Sequence, residues 1–263
     1  MKRYWWALSA WALVQGTALA QSCSRQSPAH GVALLELYTS EGCSSCPPAD
    51  AFLGTLRGAG IGADRAVLLS LHVDYWNYIG WKDPYSRATF TERQRWMSDL
   101  AKTRTIYTPE FFVAGKELRN WSGSVEAAVK RINDKPAQAS VSIALGAATA
   151  AGLPMDVRAS GARGGKLHVA LYESAIATKV KAGENEGRTL RHDFVVREWL
   201  APVPVGRDGK AALSRVLALP AGALPANMGV AAFVQTAEGE VLQALSLDTC
   251  PATSAGTGAR KGG

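Results

Sequence analysis

The chain has 263 residues, 47% hydrophobic and 19% charged, with ordinary glycine and proline usage, so collagen-like and wholly disordered classes are excluded. The length allows one or two domains, each able to bury a core. The formal charge of +7 includes Lys2, Arg3, Arg260 and Lys261 at the two ends, and no Lys/Arg cluster stands elsewhere, which argues against nucleic acid as a partner.

Lys2 and Arg3 precede a mostly apolar run from Tyr4 to Val14, and Ala18-Leu19-Ala20 has the small-x-small pattern of a cleavage site. Residues 1–20 read as a secretory signal peptide and not a membrane anchor, because Gln15 and Gly16 cut the run short of the roughly 20 residues a span needs. The mature chain is expected to begin at Gln21, to carry no membrane span, and to work in the periplasm or outside the cell, where thiols oxidise.

From Val32 to Pro136 strand-like and helix-like runs alternate. Val32–Tyr38 and Ala66–Asp74 are short apolar runs without long alternation, as in strands buried on both faces. A helix begins near Cys46, with Pro47 and Pro48 in its first turn, where no N–H is needed. Asp83-Pro84 and the capping-box pair Thr89/Glu92 start a second helix that runs to about Lys102. Glu110–Val113 and Glu117–Trp121 read as a hairpin turning at Ala114-Gly115. A closing helix over Ser124–Asp134 has Ser124 as its cap and Val125, Ala128, Val129 and Ile132 on one face. The order βαβαββα predicts an α/β domain with a mixed sheet over 21–137.

Beyond Pro136 no helical period is evident. Six short strand candidates (141–145, 155–159, 166–173, 191–199, 229–235 and 240–247) predict a separate, small antiparallel β-sandwich over 138–250. Gly183–Gly187 reads as a hairpin loop, and residues 251–263 as a disordered tail.

Cys43-Ser44-Ser45-Cys46 lies between a buried strand and a helix start, where free N–H groups and the helix dipole favour a thiolate. Cys43 is therefore expected as an exposed nucleophile with a depressed pKa. Cys46, one turn into the helix, is expected as the thiol that resolves a mixed disulfide. A structural disulfide is the simpler alternative. Zinc would need a second ligand pair, and His30, His72, His168 and His192 are scattered singly, so no metal or cofactor is assigned. Copper(I), which thiolates suit, stays open as a rival. Cys23 and Cys250 are left over in an exported chain, which predicts a structural disulfide pinning the N-terminal arm to the last strand.

The segment Glu36-Leu37-Tyr38-Thr39-Ser40-Glu41-Gly42-Cys43-Ser44-Ser45-Cys46 resembles the first strand and active-site turn of thioredoxin-fold proteins, with Gly42 in place of the usual Trp, as in glutaredoxins. Tyr107-Thr108-Pro109-Glu110-Phe111-Phe112-Val113-Ala114-Gly115 resembles their cis-proline loop and following hairpin. More narrowly, Cys46-Pro47-Pro48-Ala49-Asp50, His72-Val73-Asp74-Tyr75-Trp76, Gly80-Trp81-Lys82-Asp83-Pro84 and the stretch from Gly183 to Leu190 resemble the secreted thioredoxin-like DUF1223 family, along nearly all of the mature chain.

That resemblance implies a thioredoxin-like first domain and a cis Thr108–Pro109 bond. The backbone of Thr108 would then face Cys43 and could pair with a substrate strand. Glu36 would be a proton acceptor beneath the cysteines, or else an edge carboxylate in solvent. Tyr75 and Trp76 would be either core packing or a peptide-contacting surface. The implied activity is thiol–disulfide exchange on protein or peptide thiols with an unidentified redox partner. The dipeptide Ser44-Ser45 matches neither the Gly-Pro of reductants nor the Pro-His of strong oxidants, so the direction of electron flow stays open. A non-catalytic binding module with a stapled Cys43–Cys46 is the rival.

Overall fold

The computed structural model describes residues 22–250 other than residue 104, so the expected signal peptide over 1–20 and the tail over 251–263 lie outside the described residues. The first half contains β1 (Cys23–Gln26), β2 (Ala33–Thr39), α1 (Pro47–Thr55), β3 (Ala66–His72), α2 (Ala88–Leu100), β4 (Glu110–Val113), β5 (Lys116–Glu117) and α3 (Trp121–Asn133). Every residue of β2 and β3 is buried, and the two strands pair in parallel from Ala33↔Ala66 to Thr39↔His72. Their unbroken apolar runs match this two-sided burial. β4 lies antiparallel on the other flank of β2.

Two helix starts differ from expectation. α3 begins at Trp121, before Ser124, because the Trp121 ring packs on Phe52 and Phe111 at 5.0 and 5.2 Å and draws the segment into the core. α2 begins at Ala88, and Arg87 at its cap makes no side-chain cap bond. Asp83 does not start that helix, since its carboxylate is buried against His72.

The second half comprises β6 (Ser140–Leu145), β7 (Leu153–Ser160), β8 (Lys166–Glu173), β9 (Ile176–Lys179), β10 (Thr189–His192), β11 (Val195–Trp199), β12 (Val203–Pro204), β13 (Ala211–Leu217), β14 (Met228–Gln235) and β15 (Val241–Asp248). These strands do not build a domain of their own. β15, β14, β8 and β11 continue the first-half sheet in the order β15-β14-β8-β11-β3-β2-β4-β5, with β12 beside β8. The junction is parallel, at Val195↔Ser70, and is closed by a bond from the Ser70 N–H to the Phe194 carbonyl of 2.8 Å. The free edge of β3 is thus covered, and the expected boundary at 137/138 falls inside one structural unit.

Alternation along the shared strands explains the merger. Ala170 and Tyr172 of β8, with Ala231 and Phe233 of β14, enter the core formed with β2, β3 and the helices. Their neighbours Leu167, Val169 and Leu171, with Val230, Ala232 and Val234, face a four-stranded sheet of order β1-β6-β7-β13. Each shared strand serves two cores, one per face. The sandwich is real, but one of its two sheets is the central sheet of the molecule.

Cys23 and Cys250 form a disulfide with Cα atoms 5.6 Å apart. It joins β1 of the four-stranded sheet to the end of β15 in the nine-stranded one.

Candidate functional site

The second disulfide links Cys43 and Cys46, with Cα atoms 5.4 Å apart, at the start of α1. Cys46 is the N-cap and not a residue one turn inside, and its carbonyl accepts from the N–H groups of Ala49 and Asp50. Pro47 and Pro48 follow, so the helix start offers Cys43 its dipole but no N–H from the first two helical residues.

Cys43 is also not exposed. Its relative accessibility is 1% and that of Cys46 is 0%, while Ser44 and Ser45 between them face solvent. Trp76 and Thr108 lie beside the turn. Trp76 lies against Gly42, where an added Cβ would stand 3.0 Å from the Trp76 Cβ and 3.3 Å from its carbonyl oxygen, so glycine lets the Trp76 backbone approach the turn. The Trp76 Nε1–H donates to Thr108 Oγ1 at 2.7 Å. The Thr108–Pro109 peptide is cis, and the Thr108 carbonyl oxygen lies 3.8 Å from Cys43 Sγ and 3.5 Å from Ser45 Oγ. Thr108 therefore lies beside the disulfide, with Pro109 across the cis bond and Trp76 bonded to the Thr108 hydroxyl. Tyr75, like Trp76, packs against the core formed with β2, β3 and the helices, and burial pushes its hydroxyl up to about 12.

Glu36 is not beneath the cysteines. Period-two alternation sends Thr39 toward α1, where its hydroxyl donates to Asp50, and sends Glu36 and Tyr38 to the opposite face, toward α2. There Arg93 donates to both Glu36 carboxylate oxygens, at 2.6 and 3.0 Å. Arg93 lies under a cavity of about 480 Å³ lined also by Trp96, His168 and Trp199, on the face away from the disulfide.

The loop between β9 and β10 closes over the Cys43–Cys46 turn. Asn185, fully buried, donates from Nδ2 to the carbonyls of Glu41 and Cys43, both at 2.9 Å. The Glu184 carboxylate accepts from the Ser44 N–H at 2.9 Å, and its bonds to Ser44 hold it below the usual carboxylate range. Gly183, at φ +74°, turns the chain against Ile79 and Trp81. The residue pattern showed a hairpin loop here. Its docking target, about 140 residues upstream, carries no local signal.

Behind the disulfide lies a buried polar cluster. His72 Nδ1 meets Asp83 Oδ2 at 2.7 Å, and Asp83 also accepts from the N–H of Glu41 at 2.8 Å. Burial acts to raise the Asp83 pKa, but His72 and two backbone donors outweigh it and hold the carboxyl below its usual range. His192 Nε2 lies 3.1 Å from Glu41 Oε1, and His192 Nδ1 lies 3.7 Å from Asp50 Oδ1. Burial disfavours charge on His192, yet the facing carboxylates of Asp50 and Glu41 prevail and push its pKa up to about 10. The Trp81 Nε1–H donates to the second oxygen of Glu41 at 2.8 Å. The imidazoles of His72 and His192, expected to be isolated, sit 5.0 Å apart centroid to centroid.

A family model described as "Protein of unknown function (DUF1223)" matches residues 34–235. The chain belongs to the DUF1223 family. This DUF1223 protein is similar to the crystal structure of protein AGR_C_4864 from Agrobacterium tumefaciens, at 26% identity and a TM-score of 0.59, covering 84% of this chain and 98% of that one. It is also similar to HBP35 of Porphyromonas gingivalis, at 15% identity and a TM-score of 0.62, covering 87% of this chain and 82% of that one, a likeness of fold alone. No curated protein matches it.

Proposed function

We propose that this DUF1223 protein is an exported thiol–disulfide oxidoreductase of thioredoxin-like build, acting on protein or peptide thiols. The supporting observation is the Cys43–Cys46 disulfide at the start of α1, with the carbonyl of the cis Thr108–Pro109 peptide 3.8 Å from Cys43 Sγ. A substrate strand pairing with the Thr108 backbone brings a thiolate to Cys43 Sγ. Its attack forms a substrate–Cys43 disulfide and breaks the Cys43–Cys46 bond, whose electron pair leaves on Cys46 Sγ. A second substrate thiolate then displaces Cys43. The substrate becomes a disulfide, the protein holds two electrons and two protons as a dithiol, and an acceptor disulfide on the redox partner reverses the step. Two disulfides in one chain support an oxidising compartment.

Burial of both sulfurs favours a second reading, a binding module whose Cys43–Cys46 bond is a staple. The copper(I) reading is less favoured, because Cys43 and Cys46 are joined to each other and offer no thiolate.

A redox titration with thiol labelling and peptide mapping distinguishes the two. A Cys43–Cys46 potential between about −120 and −270 mV is expected for exchange. A value below about −300 mV would leave only the staple.

A further inference from the structure

We propose that Asp50, His72 and His192 form a site for one divalent transition-metal ion of the zinc class, behind the Cys43–Cys46 turn. The three residues come from α1, β3 and β10, are 5%, 0% and 2% exposed, and each offers a ligand atom within 4.8 Å of the others. Their polar atoms divide in a regular way. Asp50 gives Oδ2 to the Thr39 hydroxyl, His72 gives Nδ1 to Asp83, and His192 gives Nε2 to Glu41. The remaining atoms, Asp50 Oδ1, His72 Nε2 and His192 Nδ1, are buried without a hydrogen-bond partner.

Asp50 Oδ1 and His192 Nδ1 face each other at 3.7 Å, too far for a hydrogen bond, and His72 Nε2 has no partner, a grouping that is uncommon in a native core and leaves room for an ion. Two imidazole nitrogens and one carboxylate oxygen suit zinc and its first-row neighbours better than calcium or magnesium, which take oxygen. Each imidazole is held from behind by a carboxylate, the arrangement that fixes ring orientation and tautomer in metal-binding histidines. Bound at about 2.0–2.1 Å in a tetrahedral shell, ligand atoms stand roughly 3.4 Å apart. The Asp50–His192 separation of 3.7 Å is already near that value.

The full mature chain with both disulfides intact, so that no thiol can compete, is stripped with chelator and titrated with Zn²⁺ alone, natively and during refolding. One equivalent is expected to bind and to raise the thermal midpoint. Asp50→Asn and His192→Gln, checked for folding by circular dichroism, should each weaken binding at least tenfold. Should either variant fail to fold, X-ray absorption on the zinc-loaded parent decides, with two imidazole nitrogens, a carboxylate oxygen and no sulfur expected. No stoichiometric binding, undiminished binding in folded variants, or a shell of other composition would overturn the site.

Discussion

Glu110 follows the cis proline and is only 1% exposed, with one carboxylate oxygen accepting from Gln94 Nε2 at 2.6 Å and the other without a partner. Burial, opposed by that bond and assisted by the charge of Glu117, pushes its pKa from 4.5 up to about 7. Between these values the unfolded chain has lost the proton while the folded chain keeps it. Stability therefore falls as pH rises through the window and is level above it, a loss of about 3 kcal/mol for this one group. Glu110→Gln should flatten the slope and raise the thermal midpoint at pH 8 relative to the parent. An unchanged slope between pH 5 and pH 8 would assign it to another group. Glu36 differs in kind, because its charge is matched by Arg93. Glu36→Gln strands a buried guanidinium and should cost roughly 3–5 kcal/mol in urea denaturation. The pH profile of thiol exchange should not move, whereas a proton acceptor beneath the cysteines would shift it.

At the scale of elements, the β9–β10 hairpin is the piece that locks the disulfide turn. Asn185→Ala removes both bonds to the Glu41 and Cys43 carbonyls and leaves buried acceptors, a local cost of about 1–3 kcal/mol. Reduction of Cys43–Cys46 by dithiothreitol should then accelerate about tenfold or more, while Cys23–Cys250 opens as before. Equal rates in parent and variant, read by alkylation and mass spectrometry, would show that the loop does not control access. Local patterns identified the helix after Cys46 and the strands on either side of it, because proline placement and unbroken apolar runs report backbone preference and burial directly. They misplaced the starts of α2 and α3 and missed β1, β9, β12 and β13. β1 is four residues long, and β13 is exposed along most of its length, so neither carries the apolar pattern from which a strand is read. Trp121 joins α3 only because Phe52 and Phe111 are there to receive it.

Across the whole molecule, the Cys23–Cys250 bond closes a separation of 227 residues and ties the two sheets together. Constraint of so long a loop in the unfolded chain is worth up to about 5 kcal/mol in the entropic account. The Cys23→Ser/Cys250→Ser variant should lose stability of that order in equilibrium denaturation with Cys43–Cys46 still closed. A loss under about 1 kcal/mol would mean that sheet packing alone holds the ends. Both cysteine pairings were legible from the sequence by itself, since spacing claims one pair and an even count in a chain expected to be exported leaves the other. The order of elements from Val32 to Asp134 and the alternating strands after Pro136 were legible too, because periods of 2 and 3.6 record which side of a segment meets a core. They do not record which core. Tertiary structure alone decided that β11 docks on β3 and merges the two expected domains. It alone carried Asn185 onto Cys43 and placed His192 beside His72 and Asp50. These contacts join residues more than a hundred positions apart, and sheet order, which no local pattern encodes, brings them together.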